Sequence, residues 1–263
     1  MHCKNCQTPL QETSDYCNTC GGKVIRNRLT LKNLIQHFSA QFFNYDNKLF
    51  MTFWILLKNP KAVIVTYIDG VRNRFVNPIS YFAIALTISG FQLYIIRKFF
   101  PDSMDISGYA PNGNTQFMDT LSSGLFEYYS LISMASVPIY ALMARITFFN
   151  YKKFNYTELL LTFIYITSQT TIISSIIIIV LLKLGVSYMA LSYSLTPFMI
   201  LYSAYCLKSC YGLSNGKIAL KTLLFLLVLM LFYIITVILI IIIAAMSYGG
   251  FEEFFNATQQ MQQ

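Results

Sequence analysis

Residues 220–246 read "LKTLLFLLVLMLFYIITVILIIIIAAM", one lysine at the head of a run that carries no other charge. A helix needs about 20 apolar residues to cross the ~30 Å hydrocarbon core of a bilayer, and this run exceeds that. Working outward from it, apolar runs recur at about 78–96, 129–149, 159–183 and 188–207. The 263-residue chain as a whole agrees, being 56% hydrophobic and only 11% charged, with a mean hydropathy of +0.53. An average soluble domain is roughly 25% charged. So little polar surface cannot cover a globule in water. The expected class is an all-α polytopic membrane protein with five transmembrane helices.

Charge orients those spans. A formal +8 would point to nucleic acid in a soluble chain, but cytoplasmic loops of membrane proteins collect Lys and Arg. With the N-terminus in the cytoplasm, 16 of the 19 basic residues fall on the cytoplasmic side, and only Arg97, Lys98 and Lys183 fall outside. The tail 248–263 is then external. The N-terminus has no apolar core behind a basic start, so no cleavable signal is expected. Residues 29–76 precede the membrane domain, 77–247. They hold helical patterns at 30–43 and 46–58, each too short to span. Rich in Phe with one Trp, they read as interfacial amphipathic helices, with packing on the span ends as the alternative. Asn59-Pro60 opens a further short helix and Asp69-Gly70 closes it.

Residues 1–28 raise a different chemistry. "CKNCQTPLQETSDYCNTCGG" at 3–22 sets two Cys-x-x-Cys pairs ten residues apart. Zinc takes four soft ligands in a tetrahedron, and two such turns supply them. Cys3, Cys6, Cys17 and Cys20 are the expected ligands of a structural zinc in a zinc-ribbon-like clip. Four thiolates close the coordination shell, which disfavours a catalytic role. So small a segment buries little apolar surface, so the metal would supply most of its stability. A zinc tetrathiolate of about −2 offsets the +2 of these residues, so nucleic acid is disfavoured and a protein partner is expected.

Lys58, Lys61, Arg72 and Arg74 stand just ahead of the first span. Each gains roughly 1 kcal/mol beside an anionic leaflet, so anchoring to anionic lipids at the cytoplasmic face is expected. In this stretch the chain resembles the bacterial membrane family called domain of unknown function 3667. The likeness rests on Cys3, Cys6, Cys17, Cys20 and Gly21. It continues in Pro60, Tyr67, Ile68, Gly70, Arg72, Asn77 and Pro78, and in "FNYTE" ending at Glu158. Val71 and Leu159 depart from the family pattern, where a basic residue and a His are common. The resemblance implies a bacterial inner-membrane protein with this layout and leaves the activity open.

Within the spans, Arg145, Glu158 and Lys183 sit near ends, where long side chains snorkel. The third span is the most polar. Glu158, Thr162, Tyr165 and Gln169 fall within about 60° of one another, with Gln169 about 16 Å deeper than Glu158. They are a candidate polar path, or else interhelical hydrogen bonds worth about 0.6 kcal/mol each. Thr167, Thr171, Ser174 and Ser175 form a neighbouring stripe. Pro138 and Pro197 interrupt the second and fourth spans, and aligning them superposes Ser133 on Ser192 and Leu142 on Leu201. This reads as a weak two-helix repeat. Two functions compete. The first is a non-enzymatic scaffold whose clip and basic helices dock a cytoplasmic protein on the membrane. The second is a transporter or lipid-handling protein working at the proline kinks and the Glu158–Gln169 stripe. An enzyme is not expected, because no His, Asp or Cys pair lies within a span.

Overall fold

Asn59-Pro60 breaks a helix that its neighbours would continue. Proline has no N–H to give and keeps the residue before it out of the helical region, and Asn59 sits at φ −150°, ψ 76°. The computed structural model describes residues 1–22, 24, 47–104 and 128–247. The chain divides into two units, Met1–Asn47 and Lys48–Gln263. In the second unit, α1 (Asn47–Lys58) and α2 (Pro60–Ile68) meet at the break in an elbow of 112°. Asp69 caps α2 and Gly70 turns the chain at φ +101°, as the sequence predicts.

Five longer helices follow: α3 (Pro78–Phe99), α4 (Tyr129–Thr147), α5 (Tyr156–Leu182), α6 (Tyr188–Tyr211) and α7 (Asn215–Ser247). The starts of α3, α5 and α6 are capped by sequence-local side chains. The Asn77 side chain accepts from the Ser80 N–H at 2.8 Å. Asn155 and Glu158 form a reciprocal box, with bonds of 2.9 and 2.7 Å. Gly212, left-handed at φ +71°, closes α6. α7 has 33 residues and is about 50 Å long.

Among the described residues, four helices, α3, α5, α6 and α7, are long and apolar enough to cross a membrane. The expected span at 129–149 is the helix α4, but its apolar stretch, Leu131–Thr147, falls short of them. The elbow supplies the fifth candidate instead. Neither α1 nor α2 is long enough alone, yet together they pass as a broken span or a re-entrant loop. The predicted helix at 30–43 and the tail 248–263 lie outside the described residues, as does the loop from 105 to 127.

α5 is the hub of this unit, packing against α2, α3, α4 and α6. Its Leu159, Phe163, Tyr165 and Ile166 join Leu56, Val63 and Ile64 of the elbow and Tyr81 and Ala85 of α3 in one core. α7 is the opposite case. Its Leu223, Leu227, Met230 and Tyr233 are 55 to 68% exposed. Contiguous apolar exposure of this kind is a liability in water and is free of cost against hydrocarbon.

The elbow and the non-helical link 71–77 leave backbone polar groups outside any helical ladder, and those that are buried, as at Phe75 and Val76, need a partner. Val76 is buried, and both of its groups are taken. Its N–H donates to Thr52 Oγ1 at 3.1 Å and its carbonyl accepts from Tyr165 Oη at 2.7 Å. The last carbonyls of α1 have no partner within their helix. Two tyrosines one turn apart on α6 supply donors: Tyr202 Oη to the Leu56 carbonyl at 3.1 Å and Tyr205 Oη to that of Lys58 at 2.7 Å. Gln169 of α5 completes the joint. Its Nε2 donates to the Phe53 carbonyl at 3.3 Å, while its Oε1 accepts from Tyr81 Oη.

Removing the Tyr165 hydroxyl strands the Val76 carbonyl. Tyr165→Phe is expected to destabilise the folded protein by about 1–2 kcal/mol in detergent unfolding. Tyr193→Phe, at a position 66% exposed, is expected to leave the unfolding midpoint unchanged.

Candidate functional site

The two Cys-x-x-Cys turns of the first unit fold alike, fourteen residues apart in sequence. In the first, the Gln7 N–H donates to the Cys3 carbonyl and the Cys3 N–H to that of Thr8, both at 2.9 Å. In the second, Gly21 donates to Cys17 at 2.8 Å and Cys17 to Gly22 at 2.9 Å. The bonds from Leu10 to Met1 and from Val24 to Asp15, both 2.8 Å, repeat the same offset. Each turn needs a left-handed residue after its second cysteine, and Gln7 (φ +60°) and Gly21 (φ +68°) take that place. Glycine adopts it freely, whereas a side chain there costs about 1–2 kcal/mol.

Paired in this way, the turns bring all four sulfurs within 4.8 Å of one another. Cys3 and Cys20 sulfurs are 3.6 Å apart, those of Cys6 and Cys17 3.5 Å. An ion held tetrahedrally by bonds of ~2.3 Å sets its sulfurs about 3.8 Å from each other, so the donor set fits a metal ion. Cys3 and Cys17 are buried, Cys6 half-buried and Cys20 exposed, and all four are free thiols. The Thr8 hydroxyl, 3.2 Å from Cys6 Sγ, and then the Thr8 N–H lower the Cys6 thiol to about 6. The Gly22 N–H and the Asn5 side chain lower Cys20 as well. Cys6 therefore enters neutral solution already as the thiolate that a metal requires.

The four juxtamembrane cations are all exposed. Three rest on rings of the elbow and its link. Lys58 lies 5.8 Å from the Trp54 ring, Arg72 5.9 Å from Tyr67 and Arg74 5.3 Å from Phe75. The charged heads themselves lie over these aromatic faces, held there by cation–π attraction.

In the polar stripe of α5, Glu158 caps its own helix and Thr162 donates to the Glu158 carbonyl at 2.8 Å. Tyr165 and Gln169 carry the bonds to the link, the elbow and α3 given above, and both are fully buried. The neighbouring stripe faces elsewhere. Thr167, Thr171 and Ser174 line a cavity of about 350 Å³ among α4, α5, α6 and α7. Ser133 and Ser136 enter it from the turn before Pro138, and Thr196 and Met199 from either side of Pro197. Cys206 and Cys210 are buried core residues. Two features escape a reading of the sequence. One is the i, i+3 tyrosine pair, Tyr202 and Tyr205, whose carbonyl partners lie nearly 150 residues away in the chain. The other is Lys221, buried on the cavity wall although the sequence sets it at a span end; its lone charge in an apolar run was the available signal.

Helices of spanning length fit a multi-pass membrane protein, and the four close cysteines could hold a metal ion. Residues 46–90 match the model of the family described as "Protein of unknown function (DUF3667)", which is the family the sequence resembles. That stretch is the elbow, the link and the first half of α3, and it holds Pro60, Tyr67, Ile68, Gly70, Arg72, Asn77 and Pro78. No curated protein and no solved structure matches the chain.

Elemental analysis of the purified protein is expected to find about one metal ion per chain, and Cys17→Ser is expected to abolish it. Cys6 has a lowered value in the fold, so its contribution is complete above its ordinary value and lost as the pH falls through about 6. Metal retention, measured by titration against a chelator, should weaken as the pH falls, because protons compete with the ion for the four sulfurs.

Proposed function

We propose that this chain is a non-enzymatic scaffold of the bacterial inner membrane. Its N-terminal clip holds a structural zinc in the cytoplasm and docks a partner protein. The observation that carries the reading is the duplicated turn. Two equivalent loops commit all four sulfurs to one centre, which leaves an ion there no open position for substrate. A closed metal centre in so small a segment makes a rigid surface rather than a reaction site. The basic elbow supports the same reading. Lys58, Lys61, Arg72 and Arg74 give it four cations suited to an anionic leaflet. The bias of Lys and Arg along the chain puts that side in the cytoplasm.

Affinity capture from membranes with the intact chain and with a chain lacking residues 1–28 tests the docking role. A partner retained by the first and lost by the second is the expected result, and identical partners in both would remove the idea. An impermeant thiol reagent applied to intact cells is expected to leave Cys3 unlabelled.

A further inference from the structure

The cavity among α4, α5, α6 and α7 combines three properties that together specify a ligand, independently of the clip. The first is its polarity. Hydroxyls of Ser136, Ser174, Thr196 and Ser203 line it, but each donates its proton to a carbonyl of its own helix at 2.8 to 3.1 Å. These four hydroxyls therefore keep oxygen lone pairs, not protons, for a ligand. The second is its apolar length. Phe163 and Ile166 of α5, Ile200 and Leu207 of α6, and Phe225 and Leu229 of α7 also face it. From Phe163 to Ser174 the wall runs about 16 Å along α5. A volume near 350 Å³ lies at the small end of ligand pockets, enough for one chain and not two.

The third property is Lys221. It lines the cavity and is 7% exposed. One of its three N–H donors goes to the Thr147 carbonyl at 2.6 Å. Rings of Phe148, Phe149 and Tyr151 surround it at 5.6 to 5.8 Å. Among the described residues, no carboxylate lines the cavity. A buried cation is kept where something pairs with it. An anion at Lys221 with an alkyl tail laid along the α5 wall satisfies the whole lining.

We infer that this cavity binds a single alkyl chain ending in an anionic head, the head paired with Lys221. A free fatty-acid carboxylate and one tail of an anionic phospholipid share this chemistry. The test uses the full-length protein in nanodiscs of neutral phosphatidylcholine, with a long-chain fatty acid bearing a photoreactive group on its tail as the probe. Saturable labelling of α5 and α7 residues on the cavity wall, such as Phe163 and Leu229, is expected. The corresponding uncharged alcohol should compete at least about tenfold more weakly than the acid, and Lys221→Met should lose a similar factor while Lys221→Arg retains binding. Competition by phosphatidylglycerol assigns the head to a phosphodiester; competition by the free acid alone assigns it to a carboxylate. Labelling of the wild-type chain confined to lipid-facing residues such as Leu227 and Tyr233 would overturn the inference, whatever the variants do. So would equal competition by acid and alcohol.

Discussion

A backbone carbonyl or amide that is hidden from water must find a partner, and this chain has few polar side chains to give. In α3, α5 and α7 the ladder itself meets the demand. At the elbow it does not, because Pro60 ends one ladder and the link 71–77 has none. The side chains that fill the gap come from three helices: Thr52 of α1, Tyr165 and Gln169 of α5, and Tyr202 and Tyr205 of α6. Each spends a hydroxyl or amide on a backbone group far away in sequence. The elbow is thereby fastened to the bundle by directional bonds rather than by apolar packing alone.

The same constraint explains why α5 is polar on two faces. One face ends in Tyr165 and Gln169 and holds the elbow and the start of α3. The other presents Thr167, Thr171 and Ser174 to the cavity. A helix with two jobs cannot show a single amphipathic stripe, and its buried residues accordingly include Thr162, Ser168, Gln169 and Ser175 beside Phe163 and Ile166. Ser175 extends the first face, donating to Gln92 Oε1 of α3 at 2.7 Å. The clip meets its own version of the demand by mirroring one turn in another, so that four sulfurs share a centre.

Much of this was legible in the residues. Long apolar runs announce helices because the ladder is local, and α3, α5, α6 and α7 lie where the runs do. Cys-x-x-Cys spacing announces a sulfur cluster because two intervening residues suffice to turn the chain, and all four sulfurs do converge. Asn59-Pro60 and Asp69-Gly70 marked the limits of α2, since Pro and Gly act on their own φ. What depended on distant partners stayed hidden. Neither 46–58 nor 60–68 reaches spanning length by itself, so nothing local announces that together they are long and apolar enough for a broken span or a re-entrant loop. Tyr202 and Tyr205 looked like ordinary membrane tyrosines, since nothing in their neighbourhood names Leu56 and Lys58. Lys221 looked like a loop cation because burial is a property of the assembled bundle, not of a run.

The match at residues 46–90 falls on the elbow, the link and the first half of α3, which is where the bonding described here is densest. Amide hydrogen exchange at Val76 in lipid nanodiscs tests that bonding most directly. The residue lies in no helix, yet its N–H, held by Thr52 Oγ1, is expected to exchange as slowly as amides inside α5, and to lose that protection in Thr52→Val. Exchange at the rate of an open loop in the unaltered protein would contradict it.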